Sequence, residues 1–252
     1  MIDVSLLPGE SPPVELAVVI DVLRATSTAT QALAGGYQRV VCADSLERAL
    51  SLRAPGLVLA GERCCVKPPG FDQGNSPLEA LNARGSELVL ATTNGAPAIV
   101  AASRRASAVM LACLLNLDAV TEAVCVEYDP PRSELCIVCA GTDGSPALED
   151  VYVAGRLSAA LPGPRTDAAR VAEAVARGYR TPAEALRASA DARSLRAAGA
   201  TSDIAFCARE SKIELVPRVL RAGIGFAVVG AAEPRPGCRA EAAIHRLDTV
   251  EV

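Results

Sequence analysis

Short, almost uninterrupted runs of Val, Leu, Ile and Ala recur along the chain and constrain its fold more than any other feature. The runs are "ELAVVID" (15–21), "RVVCA" (39–43), "GLVLAG" (56–61), "ELVLATT" (87–93), "SAVMLAC" (107–113), "ELCIVCAG" (134–141) and "GFAVVG" (225–230). Because they lack the apolar–polar alternation of half-exposed strands, we expect strands that are buried on both faces. Helix-like segments separate most of the runs. The sequence therefore predicts an α/β fold, with three α/β/α layers around a largely parallel or mixed sheet.

Local signals mark where several of the helices begin and end. Ser76-Pro77-Leu78-Glu79 is a capping box with Pro at the first helical position, and it predicts a helix that ends near Gly85. Asp44 and Thr181 stand at two further predicted helix starts, and Gly35-Gly36 is placed to end the helix after the first strand.

The whole chain, residues 1–252, is predicted to form one α/β unit. The best candidate for a boundary between two lobes is "EYDPPRSE" (127–134), which is rich in turn-forming and charged residues. Residues 160–200 are rich in Ala and Arg, with helical periodicity and no strand signal. We expect this segment to form a helical insertion or to cover one face of the sheet.

Composition excludes several classes of partner. A net charge of −4 and the absence of any basic run argue against nucleic acid. The apolar runs are too short to span a membrane, and the N-terminus lacks the pattern of a signal peptide. Nine cysteines without regular spacing indicate reduced, mostly buried thiols, as expected of a cytoplasmic protein. For an acidic α/β protein of this size we expect a homo-oligomer, with a dimer as the simplest form.

Familiar catalytic patterns are largely missing. The single histidine, His245, excludes zinc hydrolases that use paired histidines, and no P-loop occurs. Cys42 and Arg48 have the C-x5-R spacing of thiol phosphatases, but the acids between them would repel phosphate. Cys136 and Cys139 lie in one predicted strand and are expected to point to opposite faces. The remaining carboxylates, arginines and hydroxyl residues suit Mg²⁺ and phosphate.

These side chains concentrate where predicted strands end, the place where parallel sheets bind ligands. "VVIDVLRATSTAT", "AGER", "TTNGAPA", "ACLLNLDA" and "CAGTDGSPALED" supply Asp21, Arg24, Thr26, Ser27, Glu62, Arg63, Thr93, Asn94, Asn116, Glu149 and Asp150. Taken one at a time, such residues also suit ordinary helix caps, helix-dipole partners and surface arginines. Five polar strand ends together favour a ligand site.

The stretch "LAGERCCVKPPGFDQGNSPLEAL", residues 59–81, adds Asp72 and Asn75 after a strand end. Its glycines and prolines are compatible with an ordinary surface loop. They equally let the backbone approach a ligand closely. Because Glu62 and Arg63 stand directly at the strand end, we favour the wall of an active site.

On these motifs the chain resembles the 2-phosphosulfolactate phosphatase (ComB-like) family. The resemblance is carried by "VIDVLRATST" (19–28), "GER" (61–63), "GFDQGNSPLE" (70–79), "TTNGAPA" (92–98) and "AGTDGSPALEDVYVAG" (140–155), with weaker agreement at 202–207 and 215–217. The motifs together are specific, whereas none would suffice alone.

The resemblance implies a Mg²⁺-dependent phosphatase of a family named for coenzyme M biosynthesis. The implied reaction converts 2-phospho-3-sulfolactate to 3-sulfolactate and phosphate. Asp21, Glu62, Glu149 and Asp150 are then the candidate metal ligands, and Asp21, Arg24, Glu62, Arg63 and Asp72 the candidate catalytic residues. Thr26, Ser27, Asn75, Thr93, Asn94 and Asn116 are the candidate substrate contacts. Whether Asp21 is itself phosphorylated stays open.

The chain departs from the family pattern in the predicted site. Cys64-Cys65 stands where the family commonly has Gly-Gly, Gln73 stands in place of Leu, and Ala96 in place of Thr. These changes leave open a phosphatase for another small 2-hydroxy-acid phosphate ester. A non-catalytic anion-binding protein is the third alternative.

Overall fold

A computed structural model of the protein describes residues 1–10, 13–130 and 132–232, which contain one nine-stranded sheet. The strands are β1 (Ile2–Ser5), β2 (Val14–Ile20), β3 (Arg39–Ala43), β4 (Leu57–Gly61), β5 (Glu87–Ala91), β6 (Ala106–Ala112), β7 (Leu135–Cys139), β8 (Val216–Gly223) and β9 (Phe226–Ala232). Their spatial order is β1-β7-β2-β6-β8-β9-β3-β5-β4.

The sheet is mixed, as predicted. Strands β1, β7, β2 and β6 pair in parallel, and so do β3, β5 and β4. The antiparallel β8–β9 hairpin joins these two groups. Its register shifts between Val219 and Arg221, and it pairs with β6 at Met110 and Arg218. The hairpin is therefore the irregular seam of the sheet.

Nine α-helices lie along the described ranges. They are α1 (Ala25–Ala34), α2 (Leu46–Ser51), α3 (Gly95–Ala102), α4 (Leu117–Glu127), α5 (Leu148–Ala160), α6 (Asp167–Arg177), α7 (Pro182–Ala188), α8 (Ala190–Ala197) and α9 (Thr201–Cys207). Short 3-10 helices form at Pro8–Glu10 and Leu114–Asn116.

Three apolar clusters cover the two faces of the sheet, which confirms the three layers. Along β2, Val18 and Ile20 pack into the cluster formed with α4 to α9, whereas Val19 packs into the cluster formed with α1 and α3. Cys136 and Cys139 of β7 also fall into different clusters, as predicted. Burial on both faces explains why the strand sequences are continuously apolar.

The helix signals at Thr181 and Gly35-Gly36 were correct, the one at Asp44 was one residue early, and the one at residues 76–85 was wrong. Thr181 caps α7 and Gly35 ends α1, while Ser45 rather than Asp44 caps α2. The helix predicted from Ser76 is wrong, because this segment forms turns. The Ser76 hydroxyl donates to Asp203 (2.7 Å), and Glu79 accepts from Gly74 N–H (2.9 Å). Neither side chain therefore caps a helix.

Strands β1 and β8 were not predicted. Only four residues form β1, and β8 contains Pro217 and two arginines, so neither shows a long apolar run. The strands on either side of residues 127–134 belong to the same sheet. The assignment of a single unit nevertheless stays a prediction.

Residues 160–200 form helices α6 to α8, consistent with their periodicity. Ala169, Leu186 and Leu195 from these helices pack into the same cluster as β2 and β7. In the described part of the chain, no helix has the length and apolar character needed to cross a membrane. His245 lies outside the described residues.

Candidate active site

The ends of β2, β4, β5 and β7 meet the starts of α3, α5 and α8 in one region. Thr93 N–H donates to Glu62 Oε1 (2.7 Å), which connects the ends of β5 and β4. Val22 N–H donates to Asp150 Oδ1 (2.8 Å), which connects the end of β2 to α5. The predicted strand ends are thus joined by hydrogen bonds between segments that are distant in sequence.

Asp21 follows β2 and is buried against the start of α3. Its Oδ1 accepts a hydrogen bond from Ala25 N–H (3.0 Å). Its Oδ2 lies so close to Gly95 that a Cβ added there would stand 2.1 Å from it. Only glycine fits at position 95 beside this carboxylate.

Asp150 and Glu149 occupy the first turn of α5 but have different surroundings. Asp150 accepts from Val22 N–H and from Gly141 N–H (3.2 Å), and thereby braces the ends of β2 and β7. Gly141 has a φ of +63°, a conformation that favours glycine. Glu149 is 1% exposed, and neither of its oxygens has a hydrogen-bond partner in the described structure.

Asp21, Glu149 and Asp150 form a group of neighbouring acids, which we call the acidic cluster. Asp191, in the first turn of α8, also belongs to it, and the sequence analysis missed this residue. Thr142 Oγ1 donates to Asp191 Oδ2 (2.5 Å). The Asp191 carboxylate lies near that of Glu149, whose pKa is raised by burial and then by Asp191. In the sequence, Asp191 resembles any acid in the first turn of a helix, so no local signal identified it.

Burial and mutual repulsion raise the pKa values of these carboxyl groups. Burial raises the pKa of Asp21 to about 7, with further increases from Asp191 and Glu62 that Ala25 N–H and Arg24 oppose. Burial and Asp191 raise the pKa of Glu149 to about 8. The pKa of Asp150 is also raised, chiefly by burial and then by Asp21. In the absence of a bound cation, these buried carboxyl groups therefore resist ionisation.

Glu62 organises the loop that follows β4. Its second oxygen accepts from Cys65 N–H (3.0 Å), and backbone hydrogen bonds between Arg63 and Val66 close the turn. Cys64 and Cys65 have φ values of 51° and 64°, which are strained for residues other than glycine. The loop borders the acidic cluster. Burial raises the pKa of the Cys65 thiol, and the nearby Glu62 and Asp191 raise it further.

Arg24 already has partners within the protein and is not available to bind an anion in this structure. Its Nη1 lies 2.6 Å from Asp203 Oδ2, and both side chains are buried. Its Nη2 donates to the Cys65 carbonyl (3.4 Å). Because Asp203 also accepts from Ser76, this ion pair ties α9 to the loops after β2 and β4. Arg63, by contrast, is exposed on the loop surface.

Four predicted site residues make hydrogen bonds or ion pairs within the protein itself. Thr26 and Ser27 are fully buried and their hydroxyls donate to backbone carbonyls. Asn116 Oδ1 accepts from Cys113 N–H (2.9 Å), and its Nδ2 donates to Leu111 (3.2 Å). Asp72 is exposed, accepts from Leu59 N–H (2.8 Å) and pairs with Arg53.

The other predicted substrate contacts keep polar atoms available. The buried Asn75 Oδ1 and Thr93 Oγ1 have no partner within the described ranges. Asn94 Oδ1 accepts from Asp143 N–H (3.2 Å), which connects the loops after β5 and β7. Of these three, Thr93 is tied most directly to the cluster, through Glu62.

The carboxylates are chemically suitable for a hard cation, although the part of the chain that the structure describes holds no preformed cage for one. Among the described residues, no three His, Cys, Asp or Glu side chains are arranged as a ready metal site. Mg²⁺ commonly uses only one or two carboxylates and takes its other ligands from water and substrate phosphate. The unpartnered Glu149, with Asp21 and Asp191 close by, fits that pattern.

Fold and site together define an α/β protein with buried carboxylates gathered where its strands end and its helices begin. The sequence profile described as 2-phosphosulpholactate phosphatase matches residues 3–221. The chain belongs to this family, which confirms the resemblance seen in the motifs.

Relatives from distant organisms support the assignment. A "Probable 2-phosphosulfolactate phosphatase" of Thermus thermophilus is 42% identical over 233 residues, which cover 90% of this chain and 97% of the relative. One from Deinococcus radiodurans is 40% identical over 226 residues, covering 86% and 92%. A "2-phosphosulfolactate phosphatase" of Methanothermobacter thermautotrophicus is 33% identical over 217 residues, covering 82% and 92%.

Proposed function

We propose that the protein is a Mg²⁺-dependent phosphatase that hydrolyses 2-phospho-3-sulfolactate to 3-sulfolactate and phosphate. The reaction is supported by similarity over most of the chain to relatives that carry this name. The observation that carries the metal requirement is the buried, unpartnered carboxylate of Glu149 within an acidic cluster. An uncompensated buried charge is too costly to persist unless a ligand or a proton balances it.

The charge of the proposed substrate also supports a requirement for a metal ion. The proposed substrate carries a phosphate, a sulfonate and a carboxylate, and the site presents carboxylates from Asp21, Glu149 and Asp191. Two like charges 4 Å apart repel by about 4 kcal/mol at an effective dielectric constant of about 20. Since Arg24 is already paired with Asp203, a divalent cation is the natural bridge between substrate and site.

We assign the metal to Asp21 and Glu149 among the predicted ligands. Asp150 and Glu62 each use both oxygens on backbone N–H groups, so they hold the strand ends and the loop in place. Bound Mg²⁺ would polarise the phosphoryl oxygen and neutralise charge in the transition state. This proposal therefore keeps two of the four predicted metal ligands, Asp21 and Glu149.

Other residues of the chain would orient the substrate. The unpartnered Thr93 hydroxyl is a free donor beside Glu62, and the start of α3 at Gly95 favours an anion. The exposed Arg63 and Lys67 can attract the anionic groups of the substrate. Asp21, whose Oδ1 accepts from Ala25 N–H, would act either as nucleophile or as the base that accepts a proton from water.

Phosphate release from racemic 2-phospho-3-sulfolactate, phospholactate and phosphoglycerate, with Mg²⁺ and with EDTA, tests this proposal. We expect Mg²⁺-dependent release that is at least about tenfold faster for the sulfonate than for the other two esters, a difference of about 1.4 kcal/mol in transition-state binding. No release from any ester would contradict the phosphatase assignment. Acid quench during turnover of a ³²P-labelled ester then distinguishes the two roles of Asp21, because only an acid-stable phosphoryl adduct on Asp21 would carry the label into the protein.

A second candidate is a phosphatase for another small 2-hydroxy-acid phosphate ester. It is favoured by Cys64-Cys65, which borders the acidic cluster and replaces the more flexible glycines of the family pattern. Release from phospholactate or phosphoglycerate alone would select this candidate. A role in coenzyme M biosynthesis, a cytoplasmic location and a dimeric state stay predictions.

A further inference from the structure

A continuous series of hydrogen bonds leads from α9 to the loop after β4 and on to the start of α3. Asp203 Oδ2 accepts from Arg24 Nη1 (2.6 Å), and Arg24 Nη2 donates to the carbonyl oxygen of Cys65 (3.4 Å). The N–H of Cys65 donates to Glu62 Oε2 (3.0 Å), and Glu62 Oε1 accepts from Thr93 N–H (2.7 Å). Asp203 is therefore linked to the segment that leads into α3, although it lies far from that segment in sequence.

The backbone of Cys65 is held from two sides in this series. Glu62 accepts from its N–H group, and Arg24 donates to its carbonyl oxygen. Cys65 has a φ of 64°, a conformation that is disfavoured for residues other than glycine. Such a conformation persists only where surrounding contacts enforce it. Arg24 supplies one contact of this kind from outside the loop.

Asp203 fixes the direction in which Arg24 points. The two side chains are only 5% and 3% exposed, so the charge of each depends on the other as its partner. The guanidinium is planar and rigid, so with Nη1 bound to Asp203 its Nη2 is directed to the Cys65 carbonyl. The Ser76 hydroxyl donates to Asp203 Oδ1 (2.7 Å) and thereby orients the carboxylate itself. The position of the Cys65 peptide group thus depends on Asp203.

We propose that Asp203 is a positioning residue for the reaction. Acting through Arg24, it holds the loop of residues 62–66 against the start of α3. Thr93 and Arg63, which stand on these two segments, are proposed above to bind the substrate. This inference rests on the proposed function and extends it to α9, an element for which the sequence analysis predicted no site residue.

Asp203→Asn tests this role, because the amide oxygen still accepts from Ser76 but the side chain no longer carries the charge that fixes Arg24. We expect KM for 2-phospho-3-sulfolactate to rise roughly tenfold with kcat changed by less than about twofold, since substrate contacts rather than reacting groups are displaced. Steady-state kinetics at saturating Mg²⁺ measures both. A residue that only stabilised the fold would lower the melting temperature and leave KM unchanged.

Hydrogen–deuterium exchange measures the positioning without turnover. We expect roughly tenfold faster exchange at the N–H groups of Cys65 and Thr93 in Asp203→Asn, with wild-type exchange in β2 and β7. Glu127→Gln is the matched control, because it also converts an arginine-paired acid to an amide. Its partner is Arg218 (2.9 Å), and that pair joins α4 to β8. We expect the control to keep wild-type KM and wild-type exchange at Cys65.

Wild-type KM or wild-type exchange at Cys65 in Asp203→Asn would overturn the inference and leave the proposed function standing. If Asp203→Asn does not fold, Arg24→Lys decides by exchange alone, because lysine keeps the charge and lacks the planar fork. Faster exchange at Cys65 in Arg24→Lys would then support the inference, and wild-type exchange would overturn it. Without phosphate release by the wild type the proposed function fails, and faster exchange would still support Asp203 as the residue that holds the loop.

Discussion

At the scale of single residues, the site depends on a close approach that only glycine permits. In Gly95→Ala, the added Cβ would meet Asp21 Oδ2 at 2.1 Å and Ala25 Cβ at 2.4 Å. We expect a loss of about 1–3 kcal/mol in unfolding free energy, as for an overpacked core, and a fall in kcat as Asp21 moves. Denaturant unfolding and steady-state kinetics measure the two effects. Gly9→Ala, which meets nothing within 4 Å, is the control. A Gly95→Ala variant with wild-type kcat would contradict the placement of Asp21.

The two strained cysteines allow a second test at this scale. Cys64 has a φ of 51° and is exposed, so Cys64→Gly removes backbone strain at little packing cost. We expect a gain of about 0.5–1 kcal/mol in unfolding free energy. Cys64→Ala keeps the strained conformation and should show no such gain. Equal stabilities of the two variants would mean that the loop is not strained at position 64.

The residues at strand ends were predictable from sequence because chain order places them there. Asp21, Glu62 and Glu149 each stand just after an apolar strand or in the first turn of the helix that follows one. Asp191 was not predictable, since its contact with Thr142 joins residues 49 positions apart and leaves no local pattern. The role predicted for Thr26 stays open for a related reason, because a hydroxyl at a helix start bonds a backbone carbonyl as readily as a ligand.

At the scale of elements, a buried ion pair holds α9 against the site. Asp203→Ala leaves the buried Arg24 without its partner, so we expect a loss of about 3–5 kcal/mol in unfolding free energy. Replacing both residues by apolar ones, as Arg24→Met with Asp203→Leu, should recover part of that loss. Urea denaturation measures both variants, and Asp167→Ala is the exposed control. A loss below about 1 kcal/mol in unfolding free energy, typical of surface pairs, would contradict the role of the Arg24–Asp203 ion pair in holding α9.

Asp203 of this ion pair also explains why the helix predicted at residues 76–85 does not form. Local signals there were strong, but the Ser76 hydroxyl is drawn to Asp203, which lies 127 positions further along the chain. A tertiary contact thus overrides a local preference that amounts to about 1 kcal/mol. Elements with long apolar runs and independent caps, such as β2 and α7, were predicted correctly for the converse reason.

At the scale of the whole molecule, the raised pKa values make stability depend on pH. Burial raises the pKa of Glu149 from 4.5 to about 8 and that of Asp21 from 3.8 to about 7. The folded protein therefore holds protons that the unfolded chain releases, and unfolding free energy falls as pH rises through this interval. Thermal unfolding of metal-free protein between pH 5 and pH 8 measures the decline.

Metal should reverse much of this decline, because bound Mg²⁺ favours the ionised carboxylates. Glu149→Gln removes one titrating group and should flatten the curve of the metal-free protein. A metal-free wild type that becomes more stable as pH rises through this range would contradict the buried, neutral state assigned to the carboxyl groups.

The central claim is that the buried Glu149 carboxylate makes this fold a Mg²⁺-dependent phosphatase. The most direct test compares wild type, Glu149→Gln and Asp167→Asn for phosphate release from 2-phospho-3-sulfolactate over a Mg²⁺ titration. We predict Mg²⁺-dependent release by wild type and Asp167→Asn, and a loss of roughly 100-fold or more in Glu149→Gln, corresponding to about 2.7 kcal/mol or more. Unchanged Mg²⁺-dependent turnover by Glu149→Gln would contradict the account.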